Sequence, residues 1–281
     1  MLNSNAETDA AGNALDKTEF STGFQVGMTA QLPLSDVFGV QGELLYSQRG
    51  GIYKYTGPGY LNVAVTNGTY NLTGNVRYLM RYSNGYIELP LMVYVKPIKK
   101  LKIELGVSPM ILIAAAGRGE HFINKLVASN PNATIRTDSL AIPIDGDYLG
   151  VNDKDQQYDR TTIANVQPNS VSIQGDSYYV PGRVGAYYFN TNRVSNAIAS
   201  FDLSANAGIV YNLTGGLSLG LRASYGLLDT TPAAFDVYRS KNTGTSTGAT
   251  SGLGKTTDFQ PIERPNTTNN FNVGLTIGFT F

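Results

Sequence analysis

Glu43, Glu88, Lys102, Glu104, Asp202 and Arg222 each fall in the middle of a stretch where apolar and polar residues alternate, and all six fall on the polar side of it. Four acids and two bases held on one face can do one of two things. They can pair into a hydrogen-bonded network that fills an interior, or they can line a path for an ion or a proton. Unpaired buried charge is expensive, so the pairing reading takes precedence, and truncating Arg222 is expected to destabilise whatever encloses it. Catalysis finds less support. His121 is the one histidine in the chain, and a serine hydrolase needs such a residue beside a serine and a carboxylate, which no spacing here supplies. No catalytic residue, no enzyme activity and no cofactor is expected.

Two further clusters carry binding chemistry. Asp145, Asp147, Asp153, Asp155 and Asp159 crowd carboxylates of the kind that favour Ca2+. They do not make an EF-hand, since Leu149 and Gln156 stand where an oxygen ligand and a bidentate glutamate belong, and a solvated acidic turn is the plainer reading. Tyr178, Tyr179, Tyr187, Tyr188 and Phe189 form an aromatic-rich stretch that reads either as an interfacial girdle or as a contact surface for a glycan or a partner.

The elements that must position these residues are strands. The chain runs out through Asn269 to Phe281 with Phe271, Val273, Leu275, Ile277, Phe279 and Phe281 on one face and Asn272, Gly274, Thr276, Gly278 and Thr280 on the other. The same period of two marks Thr22 to Leu34, Val37 to Arg49, Tyr86 to Lys96, Leu101 to Ala115, Ser200 to Leu213 and Leu217 to Leu227. At roughly 3.3 Å per residue such strands, tilted by about 45°, cross a bilayer's ~30 Å hydrocarbon core. A lysine or arginine on the lipid side would cost about 2–4 kcal/mol at mid-depth, so the charged face must look inward. A soluble β-sandwich or lipocalin-like barrel is the competing architecture. Against it stand the strand lengths, since soluble strands average about five or six residues. Pro90 and Pro109 lie within strands and mark bulges or local breaks.

The connections alternate between short and long. Ser35-Asp36, Pro97 to Lys100 and Thr214 to Gly216 are short, whereas about 50–82, 117–198 and 229–268 are long. Outer-membrane barrels have short periplasmic turns and longer extracellular loops, which puts the carboxyl terminus in the periplasm and the long loops outside a Gram-negative cell. Asn67-Gly68 is a hairpin signal within the first long loop. Seven strands ending in the periplasm would begin outside, whereas single-chain barrels have even strand numbers. The expectation is therefore an all-β, antiparallel, up-and-down transmembrane barrel of eight strands, whose first strand and signal peptide do not appear in this sequence. Residues 1–19 then read as the remnant of an extracellular loop and 20–281 as one barrel domain. Zero formal net charge and 15% charged residues point away from nucleic acid, and the lack of cysteine suits an exported chain.

Glu43-Leu44-Leu45-Tyr46-Ser47-Gln48-Arg49-Gly50, Tyr86-Ile87-Glu88-Leu89-Pro90-Leu91 and Tyr225-Gly226-Leu227 resemble the recurring signatures of the PorT-like outer-membrane β-barrel family of Bacteroidota. The resemblance implies eight strands, with a glycine-rich strand before the one resembling Thr22 to Leu34, and its namesake is linked to type IX secretion. An eight-stranded lumen is narrow enough for side chains to fill. The functional expectation is an integral outer-membrane protein with a filled lumen, in contact with the lipid bilayer, whose long loops bind another envelope protein. Narrow or loop-gated transport is the alternative, and glycan or Ca2+ binding by the loops the third reading.

Overall fold

A computed structural model describes residues 2–3, 5–65, 68–128, 134–149, 169–173, 175–180, 182–185, 196–231, 235–242 and 261–280. In chain order the strands are β1 (Leu2–Asn3), β2 (Asp16–Phe20), β3 (Phe24–Pro33), β4 (Phe38–Val65), β5 (Gly68–Glu88), β6 (Leu91–Ile98) and β7 (Leu101–Ala128). They continue as β8 (Ser139–Asp147), β9 (Asn169–Ile173), β10 (Asp176–Val180), β11 (Phe201–Asn212), β12 (Leu217–Gly226), β13 (Val237–Asn242), β14 (Pro261–Glu263), β15 (Thr268–Asn269) and β16 (Phe271–Phe279). The described residues hold no α-helix, and every pair of strands is antiparallel. Sixteen strands exceed the eight expected, because β4, β5 and β7 run far past the apolar belt and gather further strands around them.

A ten-stranded sheet carries the fold, ordered β16-β12-β11-β7-β5-β4-β2, with β3 on β4, β6 between β4 and β7, and β8 on β7. Within it six of the seven alternating stretches coincide with one strand each, and Tyr86 to Lys96 is shared between β5 and β6. Their apolar faces point outward into a belt of exposed side chains, among them Leu44, Leu91, Leu105, Ile111, Leu221 and Leu275, the last 86% exposed. On the strands away from the β3 and β16 edges the opposite faces are buried, with Glu88, Glu104 and Asp202 at 2%, 1% and 0%. A soluble sheet would have the reverse arrangement. Leu89 and Pro90 separate β5 from β6, as expected of a proline within a ladder, whereas Pro109 sits inside an unbroken β7 and its carbonyl accepts the Leu89 N–H at 3.0 Å.

The sheet curls until its edges β3 and β16 face each other. Gln25 Nε2 donates to Thr276 Oγ1 at 3.3 Å across that seam, and the Phe20 and Phe271 rings lie 5.9 Å apart. Among the described residues no ladder joins the two edges.

Beyond the belt, the long hairpins form a head. The β4–β5 hairpin is paired from Leu45 opposite Glu88 up to Val65 opposite Gly68, which shifts the turn one residue ahead of the expected Asn67-Gly68. Inside this extension the inward face changes from polar to apolar, and Tyr55, Leu61, Met80, Ile123, Ile142 and Ile173 form a core. A β-bulge makes this possible on β7. Gly85 pairs with Ala114 and Tyr86 with Leu112, leaving Ile113 as the extra residue, so burial passes from Leu112 to Ala115. Residues 50–65, 68–82 and 117–128 are thus strand rather than irregular loop. The amino-terminal stretch is built into the same head: β1 pairs with β15, and β2 pairs with Gly51 to Tyr55 of β4.

Candidate functional site

Two polar assemblies stand out. The first spans the lumen. Arg222, projecting from β12, donates from Nη1 and Nη2 to the Glu43 carboxylate on β4 at 2.7 and 2.6 Å, and from Nε and Nη2 to Glu104 Oε1 on β7 at 3.1 and 2.5 Å. Lys102 reaches Glu104 at 3.1 Å and donates to Gln41 Oε1 at 2.6 Å, while the Gln41 amide donates to Glu43. Two acids and two bases therefore neutralise one another. Alternation places the residues: β12 and β4 are far apart in strand order, and the curl alone brings Arg222 to Glu43. Gly208, opposite Glu104 on β11, leaves room, since a Cβ there would lie 2.8 Å from Glu104 Oε1. On the turn side of this cluster lies a cavity of about 110 Å3, lined by Thr29, Gln31, Ser218 and Thr276.

The other two lumen acids have separate partners. Glu88 pairs with Arg49 at 2.7 Å, a base at the end of an expected strand that was not counted among the lumen charges. Asp202 accepts from the Asn270 amide at 2.8 Å and from the Leu203 N–H at 2.7 Å, and has no cation beside it among the described residues. The six residues thus divide into a four-charge cluster, a pair and a neutral-partnered carboxylate.

The second assembly lies in the head, around a cavity of about 120 Å3. Tyr53, Tyr78, Tyr82 and Tyr148 wall it, with Tyr82 and Tyr148 at 5.7 Å between ring centroids. The Arg239 guanidinium lies 4.0 Å from the Tyr78 ring centre, and none of the ion pairs among the described residues involves it. Arg264 Nη1 pairs with Asp16 at 2.6 Å, and Asp16 also accepts from the Tyr53 hydroxyl at 2.9 Å. Glu7 secures the wall from behind, accepting the Arg239 and Ser240 N–H groups at 2.9 and 3.0 Å. Asp236 Oδ2 and Arg264 Nε are buried without partners among the described residues. Burial pushes the Asp236 carboxyl up to about 7, against the Asn266 hydrogen bond and the nearby Arg264 and Arg239 charges, with Asp229 adding to the rise.

An outward apolar belt around a polar, charge-bearing interior agrees with one comparison. The model for the outer membrane protein beta-barrel domain matches residues 2–232. The chain belongs to that family. No curated protein and no solved structure matches it. The matched span covers β1 to β12 of this outer-membrane barrel, and β13 to β16 lie beyond it.

The barrel's remaining candidates fall in its head. His121 on β7 is buried, its ring edge-on to Tyr78 at 5.9 Å, and burial lowers its pKa to about 3, with Arg239 adding to the effect. It stays a neutral imidazole in the core. Asp145 ends in ion pairs with Arg118 at 3.1 Å and Arg183 at 3.6 Å, and Asp147 accepts the Leu149 N–H at 2.8 Å. Asp153, Asp155 and Asp159 lie outside the described residues, and the described ones hold no grouping of three or more metal ligands. Tyr178 and Tyr179 sit on β10, paired with Val171 and Ser170, while Tyr187, Tyr188 and Phe189 also lie outside the described residues. The head cavity was missed from sequence. Its residues come from β2, β4, β5, β8, β13 and β15 and from segments beside β8, β11, β13 and β14, and the single local signal was the run of alternating tyrosines through Tyr53, Tyr55, Tyr78 and Tyr82.

Proposed function

We propose that this protein is a sealed outer-membrane barrel of the PorT-like branch of Bacteroidota, whose head stands outside the cell and docks onto another envelope protein. It is a binding component and not an enzyme. The observation that carries this reading is the Arg222 cluster: its four charged side chains cross the lumen and pair with one another, which fills the passage with side chains. The head supplies a rigid surface with its own apolar core, which a simple pore would not need.

Planar-bilayer recordings of the purified protein test the sealed lumen. No stepwise conductance is expected from the parent, whereas Glu43→Ala combined with Arg222→Ala should open a small one. Steady conductance in the parent would replace this reading with transport. A mild-detergent pull-down from the native membrane tests the docking, and a partner at stoichiometric yield is the expected result. Recovery of the barrel alone would sink it.

A further inference from the structure

The two cavities differ in what they leave unmet. At the turn end, the charges that border the cavity are already spent on one another. In the head, Arg239, which enters no ion pair among the described residues, lines a cavity together with Arg264 and Asp236, whose Nε and Oδ2 are buried without partners among those residues. Buried polar atoms are costly to leave unpaired, so a site that keeps two of them, walled by aromatic rings, is built for a polar ligand with an apolar face.

We infer that the head cavity binds an acidic sugar residue, with its carboxylate on Arg239, its hydroxyls on Asp236 and Arg264, and its ring against the tyrosine wall. This deepens the binding role proposed above and rests on the head being exposed to surface glycans. Each part follows from chemistry already described. The Arg239 guanidinium over Tyr78 carries a fork of N–H donors that matches a planar carboxylate, the chemistry that favours arginine over lysine for such groups. Tyr53, Tyr82 and Tyr148 offer ring faces to the C–H face of a pyranose, and tyrosine hydroxyls at their rims. Asp236, held near half-protonation at neutral pH, both donates to and accepts from hydroxyls. A fixed counter-ion for an ammonium group would need to be fully charged, which disfavours amino acids as the occupant. The space of about 120 Å3 suits a single ring and not an extended oligosaccharide.

The test uses the full chain in detergent micelles, titrated with sodium D-glucuronate and, separately, with D-glucose, and followed by saturation-transfer NMR. Glucuronate is expected to bind roughly ten- to a hundredfold more tightly than glucose, the worth of one charge-assisted contact. Arg239→Gln should abolish that preference while the folded, heat-modifiable gel band is kept. Should that variant fail to fold, Arg239→Lys retains the charge on the ring and loses the fork, and a severalfold weaker glucuronate affinity is expected. Equal binding of both sugars, binding of neither, or glucuronate binding untouched by both substitutions would overturn the inference. Conductance by the parent would overturn the sealed-lumen reading and leave this one standing, so the two fail separately.

Discussion

Arg222 makes four hydrogen bonds to two carboxylates that are each at most 5% exposed, so replacing it strands Glu43 without a cation and leaves Glu104 to Lys102 alone. Breaking a buried pair of this kind costs about 3–5 kcal/mol. Arg222→Met should lower the urea midpoint of the gel-shift transition accordingly, and adding Glu43→Gln, which leaves the Lys102–Glu104 pair intact, should recover most of the loss. An unchanged midpoint in the single variant would mean that the cluster does not hold the barrel together. His121 gives a second expectation, in the head. Its folded pKa of about 3 lies below the unfolded value of 6.5, so stability is fully present above pH 6.5 and is lost as pH falls toward 3. The slope is up to about 1.4 kcal/mol per pH unit. Asp236, with a folded pKa raised to about 7, acts in the opposite sense, favouring the fold below pH 4 and losing that contribution as pH rises toward 7. Urea midpoints followed by tyrosine fluorescence from pH 7 to 4 should fall less steeply in His121→Phe than in the parent. Parallel profiles would show that His121 is not the group that resists protonation.

The bulge at Ile113 is the element-scale feature that makes one strand serve two environments. Below it, residues of even number on β7 face the lumen, from Lys102 through Leu112; above it, odd ones do, including Ala115, His121 and Ile123. Deleting Ile113 removes the extra residue and leaves Leu112, Ala114 and Ala115 in strict alternation, so the lumen face below and the core face above both keep their directions. The deleted variant should keep its heat-modifiable barrel and its protease resistance between residues 50 and 128. Lost resistance would show that the head needs the kink of the bulge itself and not only the direction of its side chains. This bulge also marks where sequence stopped being legible. All seven belt strands could be read because lipid and lumen demand opposite chemistries on alternate residues, and the lumen charges followed from the same rule. Past Ile113 the run Ala114-Ala115-Ala116 carries no contrast between faces, and an apolar inward face in the head offers nothing like the penalty that excludes an arginine from lipid. Arg49 was overlooked because it sits at the last residue of an expected strand, although its odd number places it on the lumen face with Glu43 and Ser47. The head cavity could not be assembled from spacing at all, since Asp16, Tyr53 and Arg264 meet only through long-range packing.

At the scale of the whole molecule, the decisive geometric fact is polarity along the barrel axis. One end closes on tight turns, such as the one where Ser35 Oγ accepts the Phe38 N–H at 3.0 Å, and the other end carries the head. In outer-membrane barrels long connections lie on the cell surface, which predicts an outward head and inward turns. The chain has no cysteine, so a single introduced thiol reports its own position without background. Asp36 lies exposed at the turn end, and Glu120 stands on the head's surface in a loose 3.6 Å pair with Arg77, both sides well exposed. Losing such a pair costs about 0–1 kcal/mol, so neither Asp36→Cys nor Glu120→Cys should disturb the fold. On intact cells, a polymer-linked maleimide too large for general porins should label Glu120→Cys and leave Asp36→Cys untouched until the outer membrane is permeabilised. The reverse pattern would put the head in the periplasm. The acidic-sugar site would then face the cell's interior envelope, and the docking partner would have to be sought there.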